Sequence, residues 1–435
     1  MLNHQESETI LIKDGLIIDP KNNLNKKQDL MIEKGIIKLL QDKVADHLVF
    51  DKVINARDKV VCPGFIDMHV HLREPGREDE ETIQSGALAA AQGGFTAVAC
   101  MPNTQPVIDQ ASLVEFVYKQ SQNAAANVYP IAAITKGQAG KELTEMNELI
   151  SFGAVGFSDD GRPVEDARIL RHALEYSKMF DRPVISHCED ICLTNQGVMN
   201  EGKISVLLGL KGIPRISEEI IVDRDIRIAE YVRARIHIAH VSTGGAVRII
   251  RAAKDRGVRV TCETAPHYFT LTEELIKDTY NTNAKMYPPL RTRGDIEEIK
   301  QGLADGTIDA IATDHAPHAL EEKDCEFEQA ANGILGLETA LALSLEALVN
   351  SQELDLPELI EKITLNPAKI LNIDYGEIKV GCAANLTVFD PKAEWVYKKE
   401  NIVSLSCNTP YLGRPLQGRA LYTVRRNKIF TARLN

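Results

Sequence analysis

The sequence predicts an α/β protein in which a (β/α)8 TIM-like barrel carries a small β-rich domain formed by both chain ends. Eight near-continuous apolar segments of strand character alternate with segments that have apolar residues at spacings of three and four. This alternation is expected of parallel strands that are buried on both faces and covered by helices. Both ends of the chain instead contain short strand-like runs separated by turns, and neither is large enough to bury a core alone.

The predicted boundaries divide the chain into a barrel and two terminal segments. Residues 1–60 form the N-terminal part of the small domain, 61–372 the barrel, and 373–435 the C-terminal part. The eight strand candidates are residues 61–69, 95–103, 128–135, 154–160, 183–190, 235–243, 258–269 and 308–318. Helical segments lie between them, and several end in glycine before the next strand.

Composition and charge narrow the function classes. The 435 residues are 44% hydrophobic and 26% charged, as is usual for a globular protein with a large core. A net charge of −12 argues against nucleic acid or an anionic membrane as partner and leaves a small-molecule substrate. The N-terminus lacks a secretory signal, no apolar run can span a bilayer, and eight cysteines are scattered, so we expect a cytoplasmic protein.

Histidine and acidic residues follow the predicted strands at their C-terminal ends, which share one rim in a barrel and carry the active site. His69 and His71 project to the same side of an extended strand, roughly 7 Å apart. The other candidates on this rim are Asn103, Asp159, Asp160, His187, Glu189, Asp190, His240, His267, Asp314, His315 and His318.

Each of these residues alone also has a structural explanation. Asp159 and Asp160, before Gly161, suit a turn, and His187 or His240 alone would suit a hydrogen-bonded core histidine. The joint pattern of four histidines and two aspartates favours a metal site, with Zn²⁺ as the best match. Six ligands exceed what one tetrahedral zinc uses, so two metals bridged by a carboxylate would account for all of them.

Eight motifs together resemble the dihydroorotase family of the amidohydrolase superfamily. They are DMHVHLREPG, MPNT, GFSDDG, SHCED, IAHVST, ETAPHY, PPLR and ATDHAPH, in this order along the chain. The match is to the long bacterial class I branch, which has Asp where relatives carry a carboxylated Lys. The resemblance implies zinc-dependent, reversible hydrolysis of the cyclic amide of L-dihydroorotate to N-carbamoyl-L-aspartate in de novo pyrimidine (UMP) biosynthesis.

The resemblance also implies roles for residues. The implied metal ligands are His69, His71 and Asp314 for the more buried zinc, His187 and His240 for the second zinc, and Asp160 as the bridge. No lysine occurs between Lys141 and Lys178, which excludes a carboxylated Lys there. Two zinc ions per chain are expected, and one is the alternative. Asp314 is the implied catalytic residue, which takes a proton from the attacking water and passes it to the leaving nitrogen.

The implied substrate-binding residues are His71, Arg73, Asn103, Tyr287, His318, Asn332 and Gly333. Arg73, with Asn103 and His318, would hold the substrate carboxylate, for which a guanidinium fork is well suited. A salt bridge to Glu74 or to a helix acid is the alternative for Arg73. Tyr287 stands where this branch usually has an Asn that contacts the ring, and its bulk bears on ring recognition and turnover.

Two other functions stay open at this point. A related cyclic amidase, a hydantoinase or allantoinase, usually has a bridging Lys and lacks Arg at the position of Arg73. A non-catalytic scaffold for aspartate carbamoyltransferase typically loses metal ligands, which this sequence keeps. Tyr287 is the feature that favours the scaffold. The family resemblance further implies a homodimer and, as a second partner, aspartate carbamoyltransferase.

Overall fold

The two ends of the chain form strands, and strands alternate with helices between them. The computed structural model describes residues 3–45 and 47–433, so residues 1, 2, 46, 434 and 435 of the predicted terminal segments lie outside it. The strands are β1 Asn3–Glu6, β2 Thr9–Asp19, β3 Leu24–Glu33, β4 Ile36–Gln41, β5 Lys52–Asn55, β6 Val60–Pro63, β7 Phe65–Val70, β8 Phe95–Cys100, β9 Asn127–Pro130, β10 Phe157–Ser158, β11 Val184–Ser186, β12 Met199–Asn200, β13 Gly212–Ile213, β14 Ile236–Ile238, β15 Val260–Thr264, β16 Ala310–Ile311, β17 Asn385–Val396, β18 Pro415–Arg425 and β19 Lys428–Thr431.

The helices begin at residues that can satisfy their free N–H groups. Thr292 accepts from the N–H of Asp295 at the start of α10, and Asp355 accepts from that of Glu358 at the start of α13. The α-helices are α1 Ile83–Gly93, α2 Ala111–Gln120, α3 Met146–Ser151, α4 Ala167–Ser177, α5 Ile191–Thr194, α6 Lys203–Leu208, α7 Ile216–Val232, α8 Gly244–Asp255, α9 Pro266–Thr270, α10 Arg293–Ala304, α11 Leu320–Lys323, α12 Ala340–Ser344, α13 Leu356–Ile363 and α14 Leu365–Leu371. Single turns of 3-10 helix occupy Pro20–Asn22, Lys136–Gln138, Lys178–Phe180, Glu273–Ile276, Thr282–Ala284 and Lys399–Asn401, and Leu345–Val349 is a π-helical turn.

Eight parallel strands form the centre of a mixed α/β structure. Strands β7, β8 and β9 make one parallel sheet, and β10, β11, β14, β15 and β16 make a second. Parallel bridges between Ala132 and Phe157 and between Val70 and His315 join the two sheets at both edges. The strands therefore follow one another in cyclic order. A strand of the ring lies within or next to each of the eight predicted ranges, and helices lie between them as predicted. Two ranges were too long, because residues 61–63 belong to the sheet of the chain ends and residues 266–269 are helical.

One end of this ring is covered by α13 and α14. Lys362 donates a hydrogen bond to the carbonyl of Ile308, and Asn366 to that of Asp309, immediately before β16 begins. Ile370 and Leu371 close an apolar cluster to which most of the central strands contribute a residue. The side chains that follow the strands therefore face the opposite end.

Both ends of the chain contribute to one nine-stranded sheet. Its order is β1, β19, β18, β17, β6, β2, β3 and β4, and β5 also pairs with β2. Strand β6 in this sheet reaches Pro63, three residues past the predicted boundary at residue 60. The sheet has its own apolar cluster, built from strands of both termini. Among residues 3–45 and 47–433, no helix is long and apolar enough to cross a bilayer.

Asp19 ties the N-terminal strands to the segment that follows α14. Its side chain is fully buried. Oδ2 accepts from the N–H of Ile378 at 2.7 Å and from the amide of Asn22 at 2.6 Å, and Oδ1 accepts from the N–H of Lys21 at 2.9 Å. Removing this carboxylate would take the acceptor from all three donors at once. We therefore expect Asp19 to contribute to the free energy of unfolding.

We predict that Asp19→Ala lowers the free energy of unfolding by about 1 to 3 kcal/mol, because it leaves the buried N–H of Ile378 unpaired. The measurement is the urea midpoint, with far-UV circular dichroism as a check on folding. Asp42→Ala is the matched control, since Asp42 is an exposed carboxylate that accepts from the side chains of Lys26 and Gln28. A midpoint for Asp19→Ala equal to that of the control contradicts the prediction.

Candidate active site

The predicted metal-ligating side chains converge at the C-terminal ends of the central strands, with Asp160 in the middle. Asp160 Oδ1 lies 3.3 Å from His69 Nε2 and 3.5 Å from His240 Nε2. The same oxygen is 3.7 Å from His187 Nδ1, and Asp160 Oδ2 is 3.5 Å from His71 Nε2. One buried carboxylate therefore faces four imidazole nitrogens that come from strand ends far apart in the sequence.

These side chains form two groups that share Asp160. His187 Nδ1 and His240 Nε2 point to one place and are 2.8 Å apart. On the other side, Asp314 Oδ1 lies 3.1 Å from His71 Nε2 and 3.5 Å from His69 Nε2. In each group, three donor atoms of Asp160 and two histidines lie within 4.8 Å of one another, close enough to bind one ion. The arrangement fits either one or two metal ions.

Two atoms at the centre of the cluster have no hydrogen-bond partner among the described residues. His69 Nε2 and Asp160 Oδ1 are buried, face each other and are not hydrogen-bonded. Leaving such groups unpaired in a protein interior costs free energy. Burial opposes the ionisation of Asp160, but the neighbouring imidazoles of His69, His187 and His240 hold the pKa of its carboxyl well below the usual range. An ionised carboxylate beside the unpaired nitrogen of His69 and three further imidazoles is a donor set that fits a divalent cation.

The far nitrogens of two histidines are fixed by acceptors. His69 Nδ1 is 2.7 Å from Glu263 Oε1, and His71 Nδ1 is 3.0 Å from Asn103 Oδ1. Each Nδ1–H donates to its oxygen, so each Nε2 lone pair is directed at the centre of the cluster. Burial acts to raise the pKa of Glu263, but hydrogen bonds from His237 and His69 outweigh it and lower this pKa to about 2. Glu263 therefore stays ionised and orients His69.

Backbone conformation also turns the side chains inward. His240, Asp314 and Arg73 have φ angles of 35°, 49° and 61°, in the left-handed region that residues other than glycine rarely adopt. Such residues cost about 1 to 3 kcal/mol each and tend to lie at functional sites. Asp67 joins two strand ends here, because its Oδ1 accepts from the N–H groups of His69 and Thr313, both at 3.1 Å.

Other candidates have structural roles. Asp159 and Asp160 do lie in a turn, in which the carbonyl of Asp159 accepts from the N–H of Arg162 at 2.8 Å. The side chain of Asp159 turns away from the cluster, because its Oδ1 accepts from the N–H groups of Ile134 and Thr135 at 2.8 and 3.0 Å. Asp190 caps α5 by accepting from the N–H of Leu193. His267 has no partner for its Nε2 among the described residues, and burial lowers its pKa to about 4. His267 is therefore neutral beside the cluster.

A cavity of about 320 Å³ opens onto the cluster. Its lining residues are His71, Arg73, Asn103, Asp160, Gly161, His187, His240, Met286, Tyr287, Asp314, Ala316, His318 and Asn332. All the predicted substrate-binding residues line it except Gly333. The N–H of Gly333 donates to the carbonyl of Lys285, and a Cβ at this position would lie 2.5 Å from the carbonyl oxygen of Ala316. Gly333 thus permits close packing of the wall, and its contact with substrate stays a prediction.

Arg73 forms an ion pair and still faces the cavity. Its Nε is 2.9 Å from Glu80 Oε2, and its Nη2 is 3.1 Å from His318 Nε2. The alternative for Arg73 was a salt bridge to Glu74 or to a helix acid. The ion pair instead joins Arg73 to Glu80, which lies in a turn, and Glu74 accepts from the N–H of Ile83. Glu80 is buried and contacts both residues, since its Oε1 lies 3.1 Å from His318 Nδ1. It therefore holds Arg73 and His318 side by side.

A third group of possible metal ligands lies beside this ion pair. Glu80, His318 and Glu322 are close enough to hold an ion. However, Arg77 Nη2 lies 2.9 Å from Glu80 Oε1 and 3.0 Å from Glu322 Oε1. The two arginines, Arg73 and Arg77, already neutralise these carboxylates, so the group is an ion-pair network that supports the cavity wall.

Tyr287 makes its hydrogen bond to the protein. Its hydroxyl donates to Glu189 Oε1, which also accepts from Thr194 Oγ1 at 2.5 Å. Its ring stacks on that of His187 with a centroid distance of 5.7 Å and an interplanar angle of 18°. Glu189 Oε2 lies 3.7 Å from His187 Nε2. Tyr287 therefore forms an apolar wall of the cavity and braces the region around His187.

Sequence reasoning also missed Glu263 and Asn408, which position parts of the site. Glu263 lies in a motif that the sequence singled out, but only the fold brings it to His69. Asn408 Nδ2 donates to the carbonyls of Ala316 and Gly333 at 2.9 and 3.0 Å, and its Oδ1 accepts from the N–H of His318 at 3.0 Å. Asn408 belongs to the predicted terminal domain and follows no barrel strand, so no sequence pattern pointed to it.

Comparisons with known proteins show which family the chain resembles. A family described as Dihydro-orotase-like matches residues 58–245. The dihydroorotase of Geotalea daltonii is 52% identical over 421 residues, covering 97% of this chain and 98% of the relative. That of Syntrophus aciditrophicus is 50% identical over 421 residues, with the same coverage of both chains.

Solved structures resemble the whole fold. L-Hydantoinase (dihydropyrimidinase) from Arthrobacter aurescens superposes with a TM-score of 0.87 at 23% identity, covering 99% of this chain and 96% of that one. Dihydropyrimidinase from Brevibacillus agri gives a TM-score of 0.84 at 21% identity, covering 98% and 95%. At this identity the likeness concerns the fold.

The chain has an amidohydrolase-type fold, and its histidine and aspartate cluster supports a metal cofactor. Within this class, relatives at about half identity along nearly the entire length narrow the assignment. The chain belongs to the dihydroorotase family.

We predict that Glu263→Gln weakens metal retention by roughly 10- to 100-fold, because it removes the charge that orients His69. The measurement is metal content by mass spectrometry after dialysis against graded chelator. Glu338→Gln is the control, since Glu338 is also buried but bonds Tyr397 and Val403 away from the cluster. Equal metal retention in the two variants would rule out the orienting role.

Proposed function

We propose that the protein catalyses the reversible, zinc-dependent hydrolysis of the cyclic amide of L-dihydroorotate to N-carbamoyl-L-aspartate in pyrimidine biosynthesis. The observation that carries the proposal is one cavity of about 320 Å³ onto which both the histidine and aspartate cluster and Arg73 open. The cluster suits amide hydrolysis, and Arg73 suits a substrate with a carboxylate. Membership of the dihydroorotase family supports the same reaction.

Zinc is the proposed cofactor, with two ions per chain and one as the alternative. We assign His69, His71 and Asp314 to one ion, His187 and His240 to the other, and Asp160 to both. The position of Asp160, 3.3 to 3.7 Å from all four histidines, supports its role as the bridge. Bound Zn²⁺ supplies a Lewis acid and lowers the pKa of a water ligand from ~15.7 toward ~7.

Asp314 is the proposed general base and general acid. Its carboxylate lies beside His71 and His69 and lines the cavity, so it can reach both the attacking water and the ring nitrogen. It accepts the proton of the water while the C–O bond forms and donates this proton to the ring nitrogen as the C–N bond breaks. Without that proton the amide nitrogen is a poor leaving group.

Arg73 and His318 are proposed to bind the substrate carboxylate, with Asn103 beside them. The Arg73 guanidinium and the His318 ring lie in contact on the same wall, which supports a joint site for one anion. Tyr287 and Asn332 form other parts of the wall and are proposed to enclose the ring, together with the backbone at Gly333. His71 lines the cavity as well and is proposed to contact both metal and substrate.

We further propose the architecture that the sequence predicted. The cyclic order of the eight strands supports a closed (β/α)8 barrel, and the shared sheet supports a small domain built from both chain ends. Its proposed parts are residues 1–63 and 373–435, because β6 continues this sheet to Pro63. Eight free thiols support a cytoplasmic location. A homodimer and association with aspartate carbamoyltransferase stay predictions from the family resemblance, and light scattering with and without that enzyme measures both.

The test of the proposed function is zinc content per chain combined with the absorbance change on ring opening of dihydroorotate, hydantoin and allantoin. We expect turnover of dihydroorotate with two zinc ions. Turnover with one zinc ion would leave the proposed reaction unchanged and would replace the two-metal site with a single-metal site. Faster turnover of hydantoin or allantoin would contradict the proposed reaction and indicate a hydantoinase or allantoinase. Bound metal without turnover of any of the three compounds would favour a non-catalytic scaffold for aspartate carbamoyltransferase.

We predict that Asp314→Asn lowers kcat by roughly 10²- to 10⁴-fold, because the amide cannot accept and return the proton. Part of the zinc should remain bound, since Asp160 and the histidines are intact. Stopped assays of ring opening and metal analysis measure both quantities. Asp190→Asn is the control, because that side chain caps α5 and an amide oxygen can still do so. Wild-type turnover in Asp314→Asn would refute the proton-transfer role.

We predict that Arg73→Lys weakens dihydroorotate binding by roughly 1 to 3 kcal/mol, since an ammonium cannot make the bidentate contact of a guanidinium. The measurement is KM together with the inhibition constant of a dicarboxylate product analogue. Arg162→Lys is the control, because Arg162 is exposed and lies two residues from Asp160 without lining the cavity. An unaltered KM in Arg73→Lys removes this residue from the binding site.

A further inference from the structure

Lys323 lies behind the cavity wall with its ammonium group surrounded by backbone carbonyls. The residue is buried. Its Nζ donates to the carbonyl oxygens of Thr282 at 3.0 Å, Lys285 at 3.4 Å and Ala331 at 2.6 Å. An ammonium has three N–H donors, and each of them has an acceptor here. The three acceptors come from two loops that are about fifty residues apart in the sequence.

The environment of Lys323 is unfavourable for a charge. Among the described residues, no carboxylate forms an ion pair with its ammonium. Burial, with the nearby charge of Lys285, lowers the pKa of Lys323 to about 7. A buried cation without a counter-ion is costly, and an apolar side chain would avoid that cost. What an apolar side chain cannot do is hold three carbonyls at one point.

The two loops that Lys323 joins carry walls of the cavity. Tyr287 follows Lys285 by two residues, and Asn332 lies directly between Ala331 and Gly333. The carbonyl of Lys285 accepts a second hydrogen bond from the N–H of Gly333 at 3.0 Å, which couples the loops again. A shift in either loop would therefore move Tyr287, Asn332 or both.

Both loops also donate hydrogen bonds to backbone carbonyls at Lys323 and the residue before it. The hydroxyl of Thr282 donates to the carbonyl of Lys323 at 2.6 Å, and the N–H of Ala331 donates to that of Glu322 at 2.9 Å. On the cavity side, His318 Nε2 lies 2.9 Å from the carbonyl oxygen of Asn332. Lys323 therefore stands at the centre of a hydrogen-bonded bracket formed by residues 282–285, 322–323 and 331–333.

We propose that Lys323 is a positioning residue for substrate binding, which holds the two loops together and so fixes the distance between Tyr287 and Asn332 across the cavity. It touches neither substrate nor metal. The proposal rests on the proposed function for the identity of the substrate. It assigns to Lys323 an effect on how tightly the ring is enclosed rather than on proton transfer or metal binding.

The test is Lys323→Met, which keeps the length of the side chain and removes its donors. We expect KM for dihydroorotate to rise about tenfold while kcat changes by less than about threefold and zinc content stays the same. Hydrogen exchange should become at least about tenfold faster in residues 282–287 and 331–333, because the bracket opens locally. The segments that carry the proposed metal ligands should exchange at the wild-type rate.

Lys362→Met is the matched control for the loss of a buried lysine. Lys362 is also buried and donates to a backbone carbonyl, that of Ile308, but it lies at the other end of the central strands. We expect its KM to equal that of the wild type. Unchanged KM and unchanged loop exchange in Lys323→Met would overturn the proposal, and so would an unchanged KM with loss of zinc.

A second variant keeps the proposal testable if Lys323→Met does not fold. Thr282→Val removes only the hydroxyl that donates to the carbonyl of Lys323, and we expect KM to rise by about two- to threefold with faster exchange in the same loops. An unchanged KM and exchange in Thr282→Val would then overturn the proposal. If the wild type binds zinc but does not hydrolyse dihydroorotate, the proposed function fails by itself, and loop exchange alone decides the role of Lys323.

Discussion

The structure depends on one buried carboxylate that faces four imidazoles. Asp160 lies within 3.7 Å of nitrogen atoms of His69, His71, His187 and His240, and its Oδ1 has no hydrogen-bond partner in the described part of the chain. Such a group is unfavourable in a protein interior unless a positive charge neutralises it. A divalent cation bound to the imidazoles provides that charge without protonating them, so the same arrangement that costs stability in the free chain creates affinity for metal.

The cost of this cluster explains the polar structure around it. Glu263 and Asn103 accept from the far nitrogens of two histidines, so those rings cannot rotate to seek other partners. Asp67 locks the ends of two strands together, which fixes the backbone from which His69 and Asp314 project. Left-handed φ angles at the strand ends add local strain that the surrounding packing must hold. The hydrogen-bond acceptors and the backbone conformation therefore hold the imidazoles in one arrangement around Asp160.

The sequence was informative where a residue's role follows from its own strand. Each proposed metal ligand comes directly after a buried apolar run, so parallel strands with a common end suffice to bring them together. The role of Asp159 could not be separated from that of Asp160, because the difference lies in the direction of each side chain at one turn. Lys323 and Asn408 were not predicted, since both act on carbonyls of distant loops and leave no spacing pattern. The strands of the two chain ends do share one sheet, as the sequence indicated. The contact between Asn408 and His318 depends on how this part of the chain packs against the central strands, which no sequence pattern predicts.

Tyr287 illustrates how a departure from a family pattern changes meaning once its contacts are known. In the sequence it stands in place of a ring-contacting Asn and favours a protein that has lost catalysis. Its hydroxyl is already bonded to Glu189 and its ring lies flat on His187, so it presents an apolar face to the cavity. The cavity keeps about 320 Å³ with Tyr287 on its wall, enough for a small cyclic substrate. The ring of Tyr287 therefore packs against His187, a proposed metal ligand, and does not fill the cavity. For this reason Tyr287 no longer favours a non-catalytic scaffold over an enzyme.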